Sequence, residues 1–408
     1  MRDISFISRG IDTCFGRHMK KIVRNIILFV ISSGVKVLWV FPIKERQIIF
    51  NSFRGQFSDS PKYIFECIVS QKKKYDYVWV SKAEGQGIPS NCRTVKGHGI
   101  RFFYYLATSK MIITNDFLNT YYPRRKGQTV VNTWHGGSPL KTVGMVGAEV
   151  SEEDRDFFRR HDRIYSFFLS SSSFMTNEVF RKSFGYTGKI YETGMPRNAI
   201  LLRDHTSQER KVREYFGIEN DKAIALYAPT FRGSVSEGGF LPPDEQFDIK
   251  RCLEALRDRF GKEYCFLFRA HHACKISIDG DNIFSASDYP DMQELLCASD
   301  VLITDYSSCM GDEALMKKPV FLYCPDLDSY ISERGFYWDI FTLPFPVARS
   351  EEEFLSSIAH FDFDKYKNGV DNYLSKLGTF ENADADKKAG EMVIRFLEGN
   401  EIDEQEVF

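Results

Sequence analysis

SDVLITDYSSCMGDEALMKKPVFLY, residues 299 to 323, holds a complete strand, turn, helix and second strand. VLITD (301–305) and PVFLY (319–323) are short, continuous apolar runs, the pattern of strands buried on both faces, as parallel strands are. Between them the spacing predicts a helix near 307–317, with Lys317 and Lys318 in its last turn and Pro319 just past its end. A strand, a helix and a parallel strand make one βαβ crossover, the building block of an α/β sheet.

The same alternation continues outward from this stretch. QIIFNS (47–52), YVWVS (77–81), MIITND (111–116), TVVNTW (129–134) and RIYSFFLS (163–170) read as strands, with helices predicted near 61–71, 100–109, 139–146 and 172–183. AIALYAP (223–229), YCFLFRA (264–270) and NIFSAS (282–287) add strands to the second half, with helices near 246–260, 291–298 and 384–398. A chain of 408 residues, 43% hydrophobic and 27% charged, can build two such cores. The expected fold class is therefore α/β, two parallel-sheet domains around a central cleft. Their expected limits are 45–205 and 206–380, with an N-terminal helical segment over 1–44 and a C-terminal helix and tail over 381–408. The join falls in the charged stretch near 195–222, and SVSEGGFLPPDEQ (234–246), a Gly- and Pro-containing loop after a strand, is a candidate lid.

Composition narrows the function. With 54 basic and 56 acidic residues the net charge is −2, which argues against a protein that holds nucleic acid by its overall field. Nine cysteines without a CxxC pair point to reduced thiols in a cytoplasm, and no zinc site is suggested. The N-terminus has no signal-peptide pattern. RHMKKIVRNIILFVISSGVKVLWVFPI (17–43) gathers Arg17, Lys20, Lys21 and Arg24 at one end and carries Lys36 within its apolar part, so a basic amphipathic helix on an anionic surface is favoured over a span. A helix packed on the domain is the equal alternative. YYPRRKG (121–127) and RFFYY (101–105) interleave aromatic and basic residues as interfacial patches do, or as core aromatics beside solvated loops do. SEEDRDFFRRHDR (151–163) reads as a solvated helix face.

Three strand ends and one facing loop carry the polar chemistry. In the opening stretch, Asp305, Ser307 and Ser308 leave a buried strand where a helix begins; the serines either cap that helix or bind phosphate on its free N–H groups. YAPTFRG (227–233) brings Thr230 and Arg232 to the same edge, Arg232 being a planar fork for phosphoryl oxygens or a surface ion pair. FRAHH (268–272) adds Arg269, His271 and His272; with Cys274 these lack the further ligands a metal site needs. Opposite stands NTWHGGSPLK (132–141), where His135 follows a strand and Ser138-Pro139 predicts a helix start. Gly136 and Gly137 allow a ligand close to the backbone, and an imidazole can take a proton near neutrality. Cations and hydroxyls facing a histidine suggest a pyrophosphate donor facing a general base.

WHG with PLK, YAPTFR, R-x-H and above all DMQELLCASDVLITDYSSCMGDEAL with KPVFLYCPDLDSYISERGFYWD resemble the CDP-glycerol:poly(glycerophosphate) glycerophosphotransferases of teichoic acid synthesis. NSFRGQFSDSPKYIFECI (51–68) and ETGMPRNAILL (192–202) resemble further blocks, so the resemblance covers about 45–345. It implies a GT-B-like pair of Rossmann-type domains, peripheral on the cytoplasmic face of the bacterial membrane. It also implies transfer of an alditol phosphate from CDP-glycerol or CDP-ribitol to a hydroxyl of an undecaprenyl-diphosphate-linked glycan, releasing CMP, with no cofactor or metal required and no nucleic acid partner. Carried over residue by residue, His135 is the implied base and His271 lies at the donor phosphates. Thr230, Arg232, Arg269, Asp305, Ser307, Ser308 and Arg334 then line the donor side, and Gly136, Gly137 and Lys141 the acceptor side. His135 and His271 are expected to face each other across the cleft, with Ser307 on the His271 side. Three departures stand out: WHGGSPLK has one residue more than usual between histidine and proline, RAHH replaces R-x-H-P, and Ala199 stands where an acidic residue is frequent. A GT-B glycosyltransferase using a nucleotide sugar and an inactive membrane-bound scaffold are the competing readings.

Overall fold

The structure, a computed structural model, describes residues 14–53, 55–82, 87–97, 99–118, 122–146, 150–230, 246–270 and 280–400; of 14–22, 24 and 25 it describes the backbone alone. Strands β1 (Lys44–Asn51), β2 (Asp76–Ser81), β3 (Cys92–Lys96), β4 (Ser109–Thr114), β5 (Thr129–Asn132), β6 (Phe167–Leu169) and β7 (Lys189–Tyr191) form one sheet in the order β3-β2-β1-β4-β5-β6-β7. A second sheet holds β8 (Ala223–Tyr227), β9 (Tyr264–Phe268), β10 (Ile283–Ser285), β11 (Val301–Thr304), β12 (Val320–Tyr323) and β13 (Val347–Ala348) in the order β10-β9-β8-β11-β12-β13. Every pairing between these strands is parallel. Both sheets are doubly wound: strand order reverses between β1 and β4 in the first and between β8 and β11 in the second, the places where such sheets open a crevice at their carboxyl ends.

The apolar runs fold this way because both faces of each central strand are covered. Along β1, Ile48 and Phe50 point into one cluster and Ile49 into the other, the period of two that a pleated strand imposes. In the first unit α2 (Asp59–Ser70) covers one face through Ile64, Phe65 and Ile68, and α3 (Ile100–Thr108) covers the other through Phe102 and Leu106. Before them in the chain lies α1 (Cys14–Val37), and after them lie α4 (Glu152–Asp162) and a π-helical segment, Met175–Ser183. The solvated face predicted over 151–163 is α4, started by a capping box in which Ser151 and Asp154 exchange side-chain and backbone hydrogen bonds.

The second sheet is flanked by α5 (Thr206–Phe216), α6 (Ile249–Phe260), α7 (Met292–Ala298), α8 (Cys309–Ala314), α9 (Leu327–Arg334), α10 (Glu351–Ala359) and α11 (Phe363–Leu377). The last helix, α12 (Ala385–Leu397), returns to the first sheet: Ala389, Met392, Val393, Ile394 and Leu397 join the cluster of Ile48, Phe50 and Phe65. Gly390 is needed there, since a Cβ would stand 2.6 Å from Cys67 Sγ on α2.

Two elements differ from expectation. No helix forms over 139–146; Lys141 instead makes an antiparallel bridge with Phe336, and only a 3-10 turn, Gly144–Val146, follows. The bridge joins the two units, with Thr142 N–H donating to Gly335 O (3.1 Å) and Tyr337 N–H to Leu140 O (2.9 Å). Pro139 cannot donate but fits an extended segment, so a partner strand outweighs the local helix signal. The helix of the opening stretch is the six residues of α8, not 307–317, and Lys318 reaches away to the end of α7, donating to the carbonyls of Leu296, Cys297 and Ser299 at 2.7 to 3.1 Å.

Along the described part of α1 and the turn after it, Val23, Ile26, Phe29, Val30, Val37 and Val40 are exposed. Among the described residues no helix is long and apolar enough to cross a membrane. In the two aromatic-basic stretches the packed reading holds for Tyr122 and Phe102, which are buried, while Arg101, Arg124 and Lys126 are exposed.

Candidate active site

The first unit brings three strand ends to one imidazole. After β5, Asn132 Oδ1 accepts from Trp134 N–H (2.8 Å) and Trp134 takes a left-handed backbone with φ +54°, a conformation that costs a non-glycine residue about 1–3 kcal/mol. The bend stacks the indole on His135, ring centroids 4.3 Å apart, and turns the imidazole toward the end of β4. There His135 Nδ1 lies 2.7 Å from the carbonyl oxygen of Asn115. A carbonyl only accepts, so in the neutral ring the hydrogen sits on Nδ1 and the lone pair on Nε2. On the other side stands Phe53, past the end of β1, its ring centroid 5.5 Å away, its φ +41° and its N–H on Asn115 Oδ1 (3.0 Å). A half-buried histidine held in one tautomer at a sheet's switch point is equipped to accept a proton at Nε2.

The second unit supplies the facing wall. Thr230, past β8, donates through its N–H and Oγ1 to the carboxylate of Asp305 at 2.9 to 3.0 Å, and Tyr306 N–H adds a third donor at 2.5 Å. Asp305 is buried, so this carboxylate braces the β8 and β11 ends at their switch point. Arg269 extends from β9, with Nη1 on the carbonyls of Tyr289 (2.7 Å) and Ala286 (3.3 Å); burial pulls its pKa below the usual arginine value. Ser307 Oγ is 3.5 Å from Cys309 N, and Ser308 stands at the start of α8 without capping it. Arg334 ends α9 with an exposed side chain, its carbonyl accepting from Thr142 Oγ1 (2.5 Å). Arg232 and His271 lie outside the described residues, as do His272, Cys274 and most of the candidate lid.

The two walls touch. A Cβ on Gly136 would stand 3.4 Å from Ser308 Oγ, and one on Gly137 would stand 3.0 Å from Met195 Sδ, so the residues after His135 run directly against the serine turn. Gly311 on α8 lies against Ser138 with no room for a side chain. Lys141 holds its ammonium 5.9 Å from the ring centroid of Tyr330 on α9. The structure therefore brings Gly136, beside His135, against Ser308 where the two units meet, with Thr230 and Asp305 at the strand ends that lead to the Ser307-Ser308 turn, while Arg269 turns to the loop before α7. Among the described residues no three histidine, cysteine or acidic side chains group as a metal site requires.

Sequence reasoning missed the buried ions behind this cleft. Arg197, 5% exposed, opens the connection between the units. Its Nη1 donates to Asp59 Oδ2 (2.6 Å) at the start of α2 and to the carbonyl of His135 (2.8 Å), and its Nη2 donates to Asp312 Oδ2 (2.8 Å) on α8. Burial alone would lower the guanidinium's pKa; Asp312 and Asp59 reverse that and hold it charged. The signal was a charge within the apolar GMPRNAILL, which must find partners once buried.

Two doubly wound parallel sheets whose switch points face each other make a GT-B-like fold. The profile of the CDP-Glycerol:Poly(glycerophosphate) glycerophosphotransferases matches residues 34–398, and the chain belongs to that family. It is 30% identical over 392 residues to the teichoic acid poly(glycerol phosphate) polymerase of Bacillus spizizenii, covering 91% of this chain and 98% of the relative. It is 30% identical over 362 residues to the teichoic acid glycerol-phosphate transferase of Staphylococcus aureus, covering 84% and 91%. A poly(glycerol phosphate) polymerase of Staphylococcus epidermidis is also 30% identical, and the chain spans about half of it (51%). Among solved structures, a histidine-to-asparagine variant of the wall teichoic acid polymerase TagF, soaked with CDPG, superposes with a TM-score of 0.77 at 26% identity, over 94% of this chain and 98% of that one.

Proposed function

We propose that this protein transfers glycerol phosphate from CDP-glycerol to a hydroxyl of a lipid-linked cell-surface glycan and releases CMP. The observation that carries the reading is the fixed tautomer of His135 beside the serine turn of the second unit. In the proposed step the acceptor oxygen bonds to the phosphorus bearing glycerol, the bond from that phosphorus to the CMP oxygen breaks, and the acceptor proton moves to His135 Nε2. Charge gathers on the departing CMP, and we assign its stabilisation to Ser307 and Ser308, with Thr230, Arg232, His271 and Arg334 assigned to the same side by the family resemblance. Proton transfer and electrostatic stabilisation account for the step with no cofactor. Attachment fits the exposed apolar residues of α1 and the basic residues at its start, which would lie on an anionic bilayer surface at the cytoplasmic face.

The test is nucleotide release by the purified protein, supplied with an undecaprenyl-diphosphate-linked disaccharide and, separately, CDP-glycerol, CDP-ribitol, CMP-sialic acid or UDP-sugars. CMP release with CDP-glycerol, lowered by about 100- to 10,000-fold in His135→Ala, is expected for a general base. Release with CDP-ribitol alone would change the alditol; release from a nucleotide sugar alone would overturn the reading.

A further inference from the structure

The Arg197 fork does more than join two domains. One guanidinium holds the main chain of His135, the start of α2 through Asp59, and α8 through Asp312, and α8 is the helix that Ser308 begins. Asp312 is held in turn from two sides, by Asn198 Nδ2 on Oδ1 (3.0 Å) and Gln293 Nε2 on Oδ2 (3.3 Å). His135 is thus fixed at its ring by Asn115 and at its main-chain carbonyl by Arg197. Joining domains alone would not require this: burying a cation between two carboxylates is roughly neutral at best against apolar packing of the same volume. A planar fork sets direction as well as charge, because two carboxylates and a carbonyl must all lie on its N–H vectors, which an ammonium cannot enforce.

Resting on the transfer reaction proposed above, we infer that Arg197 is a positioning residue. Held by Asp59 and Asp312, it sets the His135 base at its working distance from the Ser307-Ser308 turn, so that the base is productive only when the two units are joined. Arg197 touches neither substrate in this assignment. Its loss removes alignment in the transition state and leaves donor binding intact.

The experiment measures CMP release from CDP-glycerol by the full chain and by Arg197→Lys and Asp312→Asn, each alone and combined with His135→Ala. Calorimetric binding of CDP-glycerol and thermal unfolding are run on every variant. Arg197→Lys is expected to lower kcat by about 10- to 100-fold, with KM and Kd for CDP-glycerol within about 3-fold of wild type. In the His135→Ala background the same substitution is expected to cost less than about 3-fold, since an aligner has nothing left to align. Equal losses in both backgrounds, or a raised KM with kcat intact, would sink the assignment. Asp312→Asn, which keeps the shape of the side chain, must repeat the pattern if Arg197→Lys fails to fold, and its failure to do so also overturns the role. A wild-type chain that releases no CMP overturns the functional reading and this role with it, whereas loss confined to the double-variant comparison overturns the role alone.

Discussion

Glu313 sits one residue after the aspartate that Arg197 grips, and the fold encloses it completely. Ser299 Oγ donates to its Oε1 (3.0 Å) and its Oε2 has no hydrogen-bond partner among the described residues, so burial pushes its pKa up to about 7 from an ordinary 4.5, against the pull of Lys318. The folded chain therefore keeps a proton that the unfolded chain releases between about pH 4.5 and 7, and stability falls as pH rises through that window, by at most roughly 3 kcal/mol from this group. Urea unfolding of Glu313→Gln should match wild type near pH 5 and exceed it at pH 8; equal curves at both pH values would contradict the assignment. At this scale the sequence was legible where a residue announced itself locally. His135 did, between an apolar run and two glycines, and Ser307 and Ser308 did, after a buried strand. Arg197 did not, because its carboxylate partners lie 138 and 115 positions away and only the fold brings them together.

Elements were legible in proportion to how completely they are buried. The central strands appeared as apolar runs, whereas the edge strand β3 shows one buried residue, Val95, among exposed ones, and β7 and β13 are three and two residues long. The reading also passes over α11, although Tyr366, Val370, Tyr373 and Leu377 recur at helical spacing along its buried side. The segment after His135 failed for a different reason: its partner, the stretch Gly335–Tyr337, belongs to the other unit. That segment is seated by Gly311, whose Cβ would fall 2.3 Å from Ser138 Cβ, a carbon that cannot swing aside. Gly311→Ala is expected to destabilise the protein, since about 1–3 kcal/mol of overpacking outweighs the roughly 1 kcal/mol that alanine gains over glycine in a helix. Adding Ser138→Gly should return the unfolding midpoint to at least the wild-type value. A single variant as stable as wild type would show that the two units do not press together here.

The two units are also joined by a second buried ion group, one turn of α2 on from Asp59. Lys62 on α2 donates to Asp291 Oδ2 (2.5 Å) and Glu294 Oε1 (3.1 Å) of the second unit, and Tyr63 and Tyr289 hydroxyls and Lys211 complete the acceptors' shell. Burial works against the Lys62 charge, and Asp291, Glu66 and Glu294 keep it protonated. Lys62→Met leaves Asp291 without its cation, while Glu294 keeps Lys211, and a loss of about 3–5 kcal/mol in unfolding free energy is expected. A loss under about 1 kcal/mol would mean that water reaches the group and screens it.

The return of α12 to the first sheet gives the molecule an order of assembly. Its apolar side completes the cluster around Phe50 and Phe65, and Phe396 stacks on Phe167 of β6. During translation, then, the unit made first cannot close its core until residues 385–397 emerge from the ribosome, while everything needed for the second sheet has already left. The unit whose strands are made earlier is the later to finish, and a ribosome stalled before α12 would expose a half-built domain to chaperones and proteases.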